Sequence, residues 1–420
     1  MILVDNVKLY TGEHSFPDGA VLVEGEKILY AGSRAACPKA EQARRIDGRG
    51  GILMPGFYNA HCHGAMTLMR GVGSDLNLMD WLGKIWPIEK GLTPDIVYWG
   101  SLHGIMEMLR RGTVAFADSY FMEDQVGRAA LDAGIRVNLS RACTDKEGVD
   151  SVTGLYRQWQ GQGQGRIRVS MGIHGEYTST PQVVAYAVEK GRALGAGFHI
   201  HLSETQGEVE GCRQRHGVSP VRYFRDLGLF DSPTLAAHCV HVDDEDIAIL
   251  AEKGVWAVHN PASNMKLASG FAPVCRMLQA GVKVALGTDG ASSNNRLDML
   301  SDMRLASLLQ KGFTGDPTAL GGAQAFAMAT RTGALAMGWP QCGLLQEGMQ
   351  ADMALLDGGA ENLCPTPDLP AAIVYAAQGL NVRMTMVQGK VLYQDGEFPT
   401  LDKEKIIWKA EEAARQLGVY

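Results

Sequence analysis

Gly51-Ile52-Leu53-Met54-Pro55-Gly56-Phe57-Tyr58-Asn59-Ala60-His61-Cys62-His63 is an apolar run closed by two histidines. Alternate residues of a strand share a face, so His61 and His63 leave the strand end pointing the same way. A neutral imidazole is the commonest side-chain ligand for zinc-like cations, and two imidazoles need further partners to close a site. Three more apolar runs finish in a similar way. Gly197-Phe198-His199-Ile200-His201-Leu202-Ser203-Glu204 and Leu235-Ala236-Ala237-His238-Cys239-Val240-His241 end in histidines, and Val282-Lys283-Val284-Ala285-Leu286-Gly287-Thr288-Asp289 ends in a carboxylate.

Around these runs, strand-like segments alternate with helical ones, which predicts a parallel sheet. The candidates are Ile52 to His63, Thr113 to Ser119, Arg136 to Ala142, Arg168 to His174, Gly197 to Glu204, Thr234 to Val240, Val255 to Pro261 and Lys283 to Asp289. Eight such units predict an α/β fold of the (β/α)8 TIM-barrel type, whose chemistry lies at the C-terminal strand ends. His61, His63, His174, His201, Glu204, His238 and Asp289 fall at or just beyond those ends. The first fifty residues read as hairpins, and similar alternation returns in 351–357 and 385–393. Both chain ends are therefore expected to build one small β-sandwich domain. The expected division is 1–55 and 346–420 for that domain, the second piece adding a helix over Lys403 to Leu417, with 56–345 for the barrel. Gln160 to Gly165 reads as a flexible connector and Ser74 to Trp86 as a loop at the barrel mouth.

The chain has 420 residues, 46% of them apolar, and a formal charge of −7 carried without a basic block. This speaks for a small-molecule substrate and against nucleic acid or an anionic membrane as partner. No secretory signal and no apolar run of about 18 residues is evident. The eight cysteines include no CxxC pair. Reduced thiols and a cytoplasmic location are expected.

Within the runs, His201 is preferred to His199 as a ligand because Glu204 follows it, although His199 shares the strand face. His238 is preferred to His241 as the nearer to its strand end. Asp289 either closes the site across the barrel mouth from His61 and His63 or caps the helix after it. His259 is divided between structure and substrate contact, whereas His14, His103 and His216 have no expected chemical role. His174-Gly175-Glu176 fits half of the cysteine-ligated zinc deaminase signature, but the Pro-Cys-x-x-Cys half is missing. No lysine stands near His174, which favours a single metal over a carbamate-bridged pair.

His61-Cys62-His63-Gly64-Ala65-Met66, Trp86-Pro87-Ile88-Glu89, His201-Leu202-Ser203-Glu204-Thr205, Ala237-His238-Cys239-Val240-His241, the stretch from His259 to Gly270 and the stretch from Gly287 to Asn295 together resemble the amidohydrolase superfamily. Within it they resemble the 5′-methylthioadenosine/S-adenosylhomocysteine deaminase group, related to the chlorohydrolases, over nearly the whole chain. The resemblance implies one divalent ion, Zn2+ first with Fe2+ or Mn2+ as alternatives, held by His61, His63, His201 and Asp289. It implies catalytic roles for Glu204, His238 and Asp289, and substrate contacts for Glu89, Arg141, His174 and Glu204. Glu89 would hold ribose hydroxyls and Arg141 would face the far end of the substrate. The implied activity is hydrolytic deamination of an adenosine-type nucleoside, the alternative being a guanine, pterin or triazine ring, and a homo-oligomer is compatible with it.

Two departures bear on substrate choice. Glu176 stands where the group's His-x-Pro-Tyr pattern has proline, and no second arginine follows Arg141 in Thr144-Asp145-Lys146-Glu147-Gly148-Val149-Asp150. A carboxylate gained and a cation lost predict weaker binding of a substrate that carries a carboxylate.

Overall fold

Residues 1–419 are described by the structure, a computed structural model. The strands are β1 (Ile2–Tyr10), β2 (Ser15–Glu24), β3 (Lys27–Ser33), β4 (Arg44–Pro55), β5 (Phe57–Cys62), β6 (Thr113–Tyr120), β7 (Arg136–Arg141), β8 (Ile167–Val169) and β9 (Met171–Ile173). They continue as β10 (Phe198–Leu202), β11 (Thr234–His238), β12 (Trp256–His259), β13 (Lys283–Leu286), β14 (Met353–Leu356), β15 (Val382–Val387) and β16 (Lys390–Gln394).

Strands β5 to β13 are parallel and form the barrel, each expected run appearing in place. The fourth barrel strand is interrupted at Ser170, so that β8 pairs with β7 and β9 with β10. At the break Ser170 N donates to Leu139 O at 2.9 Å and Met171 N to Gly197 O at 2.8 Å, which joins the two halves. Gly172 is needed here because a Cβ on it would stand 1.8 Å from Arg141 O. The circle closes where Asp289 N donates to His61 O at 3.0 Å and Thr288 N to Asn59 Oδ1 at 2.9 Å. Helices cover the outside, several started by a capping Thr or Ser followed by proline, as at Thr93-Pro94, Thr180-Pro181 and Ser219-Pro220.

The run from Ile52 to His63 is not one strand. It divides at Gly56, Ile52 to Pro55 belonging to β4 and the rest to β5. Burial on both faces made the two halves look continuous, yet β4 hydrogen-bonds to β1 and β14 outside the barrel. A Cβ on Gly56 would lie 2.2 Å from Val114 Cγ1, so the chain can cross into the barrel only with glycine there.

Seven strands from both chain ends make a single hydrogen-bonded sheet in the order β16-β15-β14-β4-β1-β2-β3. It curls over until β3 meets the approach to β14, with Ile28 N donating to Met349 O and Ala351 N to Glu26 O. Val4, Leu9, Val21, Leu53, Leu355 and Met386 fill the space between its wings. The terminal helix Lys403–Gln416 buries Ile406, Ala410, Ala413 and Ala414.

Two loop expectations give way. Residues Leu78–Glu89 are helical, capped by the Asn77 side chain. Gln160 to Gly165 is a fastened turn rather than a flexible connector: Gly165 O accepts from Trp339 Nε1 at 2.9 Å and Gln164 O from Gln388 Nε2 at 3.0 Å. No helix among the described residues is long and apolar enough to cross a membrane.

Candidate active site

β5 delivers His61, wholly buried, and, one residue past its end, His63, which lines the cavity at the C-terminal mouth of the barrel. His201 enters from β10 and Asp289 from just beyond β13. Ring nitrogens of His61, His63 and His201 lie within 4.8 Å of one another, and ligand atoms of His61, His238 and Asp289 form a second overlapping group on the same limit. Asp289 Oδ1 is 3.1 Å from His63 Nε2 and 3.5 Å from His61 Nε2.

The Nδ1 atoms of these histidines are already engaged. His63 Nδ1 faces Ser119 O, His201 Nδ1 faces His174 O at 2.6 Å, and His61 Nδ1 meets His199 Nε2 at 2.8 Å. Donation from Nδ1–H to the two carbonyls leaves Nε2 of His63 and His201 as the lone-pair nitrogen directed at the common centre. His61 Nε2 is buried without a hydrogen-bond partner. Burial pulls His61 down to about 4, Asp289 only partly opposing it, so its ring is neutral near pH 7. At His63 burial works in the same direction, but the hydrogen bond and charge of Asp289 prevail and raise it to about 9, so its Nε2 holds a proton toward Asp289 that a bound cation would displace. Those two imidazoles in turn hold the Asp289 carboxyl well below its ordinary range despite burial. Three imidazoles, a carboxylate held ionised and an unpartnered buried nitrogen are a donor set suited to a divalent ion such as zinc.

Asp289 does not cap a helix. Its backbone is left-handed, with φ of 62°, and its carboxylate accepts from Gly290 N at 2.7 Å and from the hydroxyls of Ser263 and Ser293 at 2.6 and 2.9 Å. His238 also has a positive φ, 78°. Such backbone costs about 1–3 kcal/mol per residue and gathers at functional sites, where it re-aims a strand-end side chain.

Glu204 and His238 adjoin this centre, with 3.7 Å between Glu204 Oε2 and His238 Nε2. Burial raises the Glu204 carboxyl, and the neighbouring His238 only partly offsets it. Glu89, at the end of its helix, lines the same cavity and accepts from Tyr120 OH at 2.8 Å. His174 lines it too, its ring driven down to about 4 by burial and by the charge of His63.

His199 is not at the centre but stands behind His61. His241 turns away to Ser269 O, 2.6 Å from its Nε2, and His259 is buried without lining the cavity. Arg141 is not brought to the cavity, although its neighbour Ala142 is; its guanidinium donates to Ser151 Oγ at 3.0 Å. Glu176 corrects the expectation of an added negative charge in the pocket. Its carboxylate is buried outside the cavity, 3.0 Å from Arg215 Nε and 3.0 Å from His216 Nε2.

Sequence reasoning missed several supports. Asn264 Oδ1 lies 2.8 Å from His238 Nδ1, Tyr120 positions Glu89, and Glu208 accepts the backbone N–H groups of Ser203 and Glu204 at 2.9 and 2.7 Å. The stretch from His259 to Gly270 marked the region of Asn264, but single roles emerge only when β11 and β12 are side by side.

Comparison with known proteins follows the same lines. The model described as "Amidohydrolase family" matches residues 52–392. A 5-methylthioadenosine/S-adenosylhomocysteine deaminase of Pelotomaculum thermopropionicum is 46% identical over 96% of this chain and 94% of its own. A 5′-deoxyadenosine deaminase of Methanosarcina mazei is 43% identical over 99% of this chain and 98% of its own. Among solved structures, an adenosine deaminase from Xanthomonas campestris with bound zinc superposes with a TM-score of 0.94 at 31% identity, covering 100% of this chain and 99% of the other.

Proposed function

The chain belongs to the amidohydrolase family, and we propose that it hydrolytically deaminates adenosine-type nucleosides to the inosine-type product and ammonia. The observation that carries this reading is the meeting, in one cavity, of His63, His201 and Asp289, His61 buried directly beneath them, with the Glu204–His238 pair and with Glu89. We assign one divalent ion, zinc first, to His61, His63, His201 and Asp289. When bound, such an ion lowers the pKa of a water towards neutrality.

The residues divide the remaining work. Asp289 accepts the proton released by the attacking water, and Glu204 gives a proton to the ring nitrogen beside the amine-bearing carbon, which makes that carbon electrophilic. His238, its Nδ1–H fixed on Asn264, uses Nε2 to hold the incoming oxygen. The new C–O bond forms, the proton on Asp289 passes to the amine, and the C–N bond breaks with loss of ammonia. Glu204 recovers a proton from the added hydroxyl as the carbonyl forms. Glu89, with one oxygen on Tyr120, presents the other to ribose hydroxyls, while His174 lies along the cavity wall as a substrate contact. The eight cysteines are unpaired, which suits a reducing cytoplasm.

The test is ammonia release by zinc-loaded protein from adenosine, 5′-methylthioadenosine and 5′-deoxyadenosine, with guanine, followed by ammonia release, and a chlorotriazine, followed by chloride release, as comparators. Turnover of the nucleosides supports the reading. Turnover confined to a bare ring would replace it.

A further inference from the structure

Leu78, Trp81, Leu82, Ile85, Trp86 and Glu89 all line the cavity. Their spacing by three, four and seven residues puts them on one face of the helix Leu78–Glu89. This face is apolar along its whole length until it ends in the Glu89 carboxylate. Eleven residue steps at 1.5 Å make it a strip of roughly 16 Å. A sugar whose hydroxyls are held at Glu89 lies at one end of this strip, next to its tryptophan, leucine and isoleucine side chains.

The cavity wall brings no long cationic side chain to this strip. Glu89, Glu204 and Asp289 line the cavity, and among the described residues lining it none is lysine or arginine. Of the cations nearest in sequence to the lining residues, Lys266 donates to Ser292 O and Asn295 Oδ1 and Arg141 to Ser151 Oγ, while Lys84, Lys90 and Lys146 are exposed and none of them lines the cavity. A carboxylate brought against this wall would lose water without gaining a counter-charge, which is unfavourable. An alkyl or thioether group would gain from the same burial, and sulfur packs well against aromatic rings.

We propose that the Leu78–Glu89 helix makes the enzyme selective for nucleosides with a small, uncharged, apolar 5′ substituent, alkyl or alkylthio, over nucleosides bearing a charged amino-acid arm there. The proposal rests on the deaminase reading above and adds to it which member of that substrate class is preferred.

The experiment compares kcat/KM for ammonia release by the zinc-loaded full chain with 5′-methylthioadenosine, 5′-deoxyadenosine and S-adenosylhomocysteine. The two uncharged substrates should exceed S-adenosylhomocysteine by about tenfold or more, chiefly through KM, the size expected when a charge goes unpaired in an apolar site. Thr144→Arg, which adds a cation to the cavity wall, should narrow the gap by raising S-adenosylhomocysteine relative to 5′-methylthioadenosine. Arg141→Met should leave that ratio unchanged. Equal or better use of S-adenosylhomocysteine by the wild type, or its selective loss in Arg141→Met, would overturn the selectivity while leaving the deaminase reading standing. If no nucleoside releases ammonia, the deaminase reading fails first.

Discussion

Asn264 Oδ1 stands 2.8 Å from His238 Nδ1, so an amide of the short helix Pro261–Lys266 fixes which nitrogen of that imidazole faces Glu204. With Nδ1–H donated to Asn264, Nε2 is the atom presented to Glu204 and to the reacting oxygen. Asn264→Ala leaves that buried donor unmade at a cost of about 1–3 kcal/mol, or roughly 5- to 150-fold in kcat/KM. Metal content should not change, because His238 is not assigned as a ligand. Activity and metal analysis on the same sample check this, and wild-type turnover would show that the ring is held by something other than Asn264.

His199 supports the metal site from behind through His61 Nδ1. Partners of this kind typically contribute 10–100-fold to metal affinity. His199→Ala should therefore bind zinc more weakly by about that factor in a chelator competition and regain activity when zinc is supplied in excess. His61→Ala should lose both metal and activity without such rescue. Full zinc occupancy in His61→Ala would remove it from the ligand set.

Glu204 is proposed as the proton donor to the ring nitrogen, and burial raises its carboxyl, as that role requires. Glu204→Gln keeps shape and burial but cannot release a proton, so turnover should fall by about 10²–10⁴-fold with zinc retained. Unimpaired turnover would transfer the role to another group.

The strand ends were legible in the sequence because a parallel barrel buries both faces of each strand and breaks that apolar run only where chemistry is done. His61, His63, His201, His238 and Asp289 stood out for that reason, and the structure brings them together. Helix Leu78–Glu89 did not stand out. Its apolar residues are shared between the core and the cavity wall, and Gly83 and Pro87 within it resemble loop composition. Glu176 was misread for a different reason: its partners, Arg215 and His216, lie about forty residues away and are adjacent only in the fold. Hydrogen bonds that set tautomers, such as Asn264 to His238, follow from strand register, which local pattern does not contain.

The small sheet and the barrel are locked by one buried ion pair, and this yields a prediction about stability. Asp352, one residue before β14, accepts from Arg136 Nε of β7 at 2.7 Å, from Tyr58 OH of β5 at 2.5 Å and from Gln388 N at 2.8 Å, with both charged side chains almost wholly buried. Burial alone would raise the Asp352 carboxyl, but the Arg136 charge and these hydrogen bonds outweigh it and hold the group below its ordinary value. A folded pKa below the unfolded value, about 3.9, means that the contribution is complete above that pH and is lost as pH falls through the depressed folded value. Asp352→Asn leaves Arg136 buried without a counter-charge and should cost about 3–5 kcal/mol. Urea unfolding at pH 7 should show a lower midpoint for the variant, and the difference from wild type should shrink as the buffer is taken below pH 4. A variant as stable as wild type at pH 7 would mean that the sheet and barrel are joined by apolar packing alone.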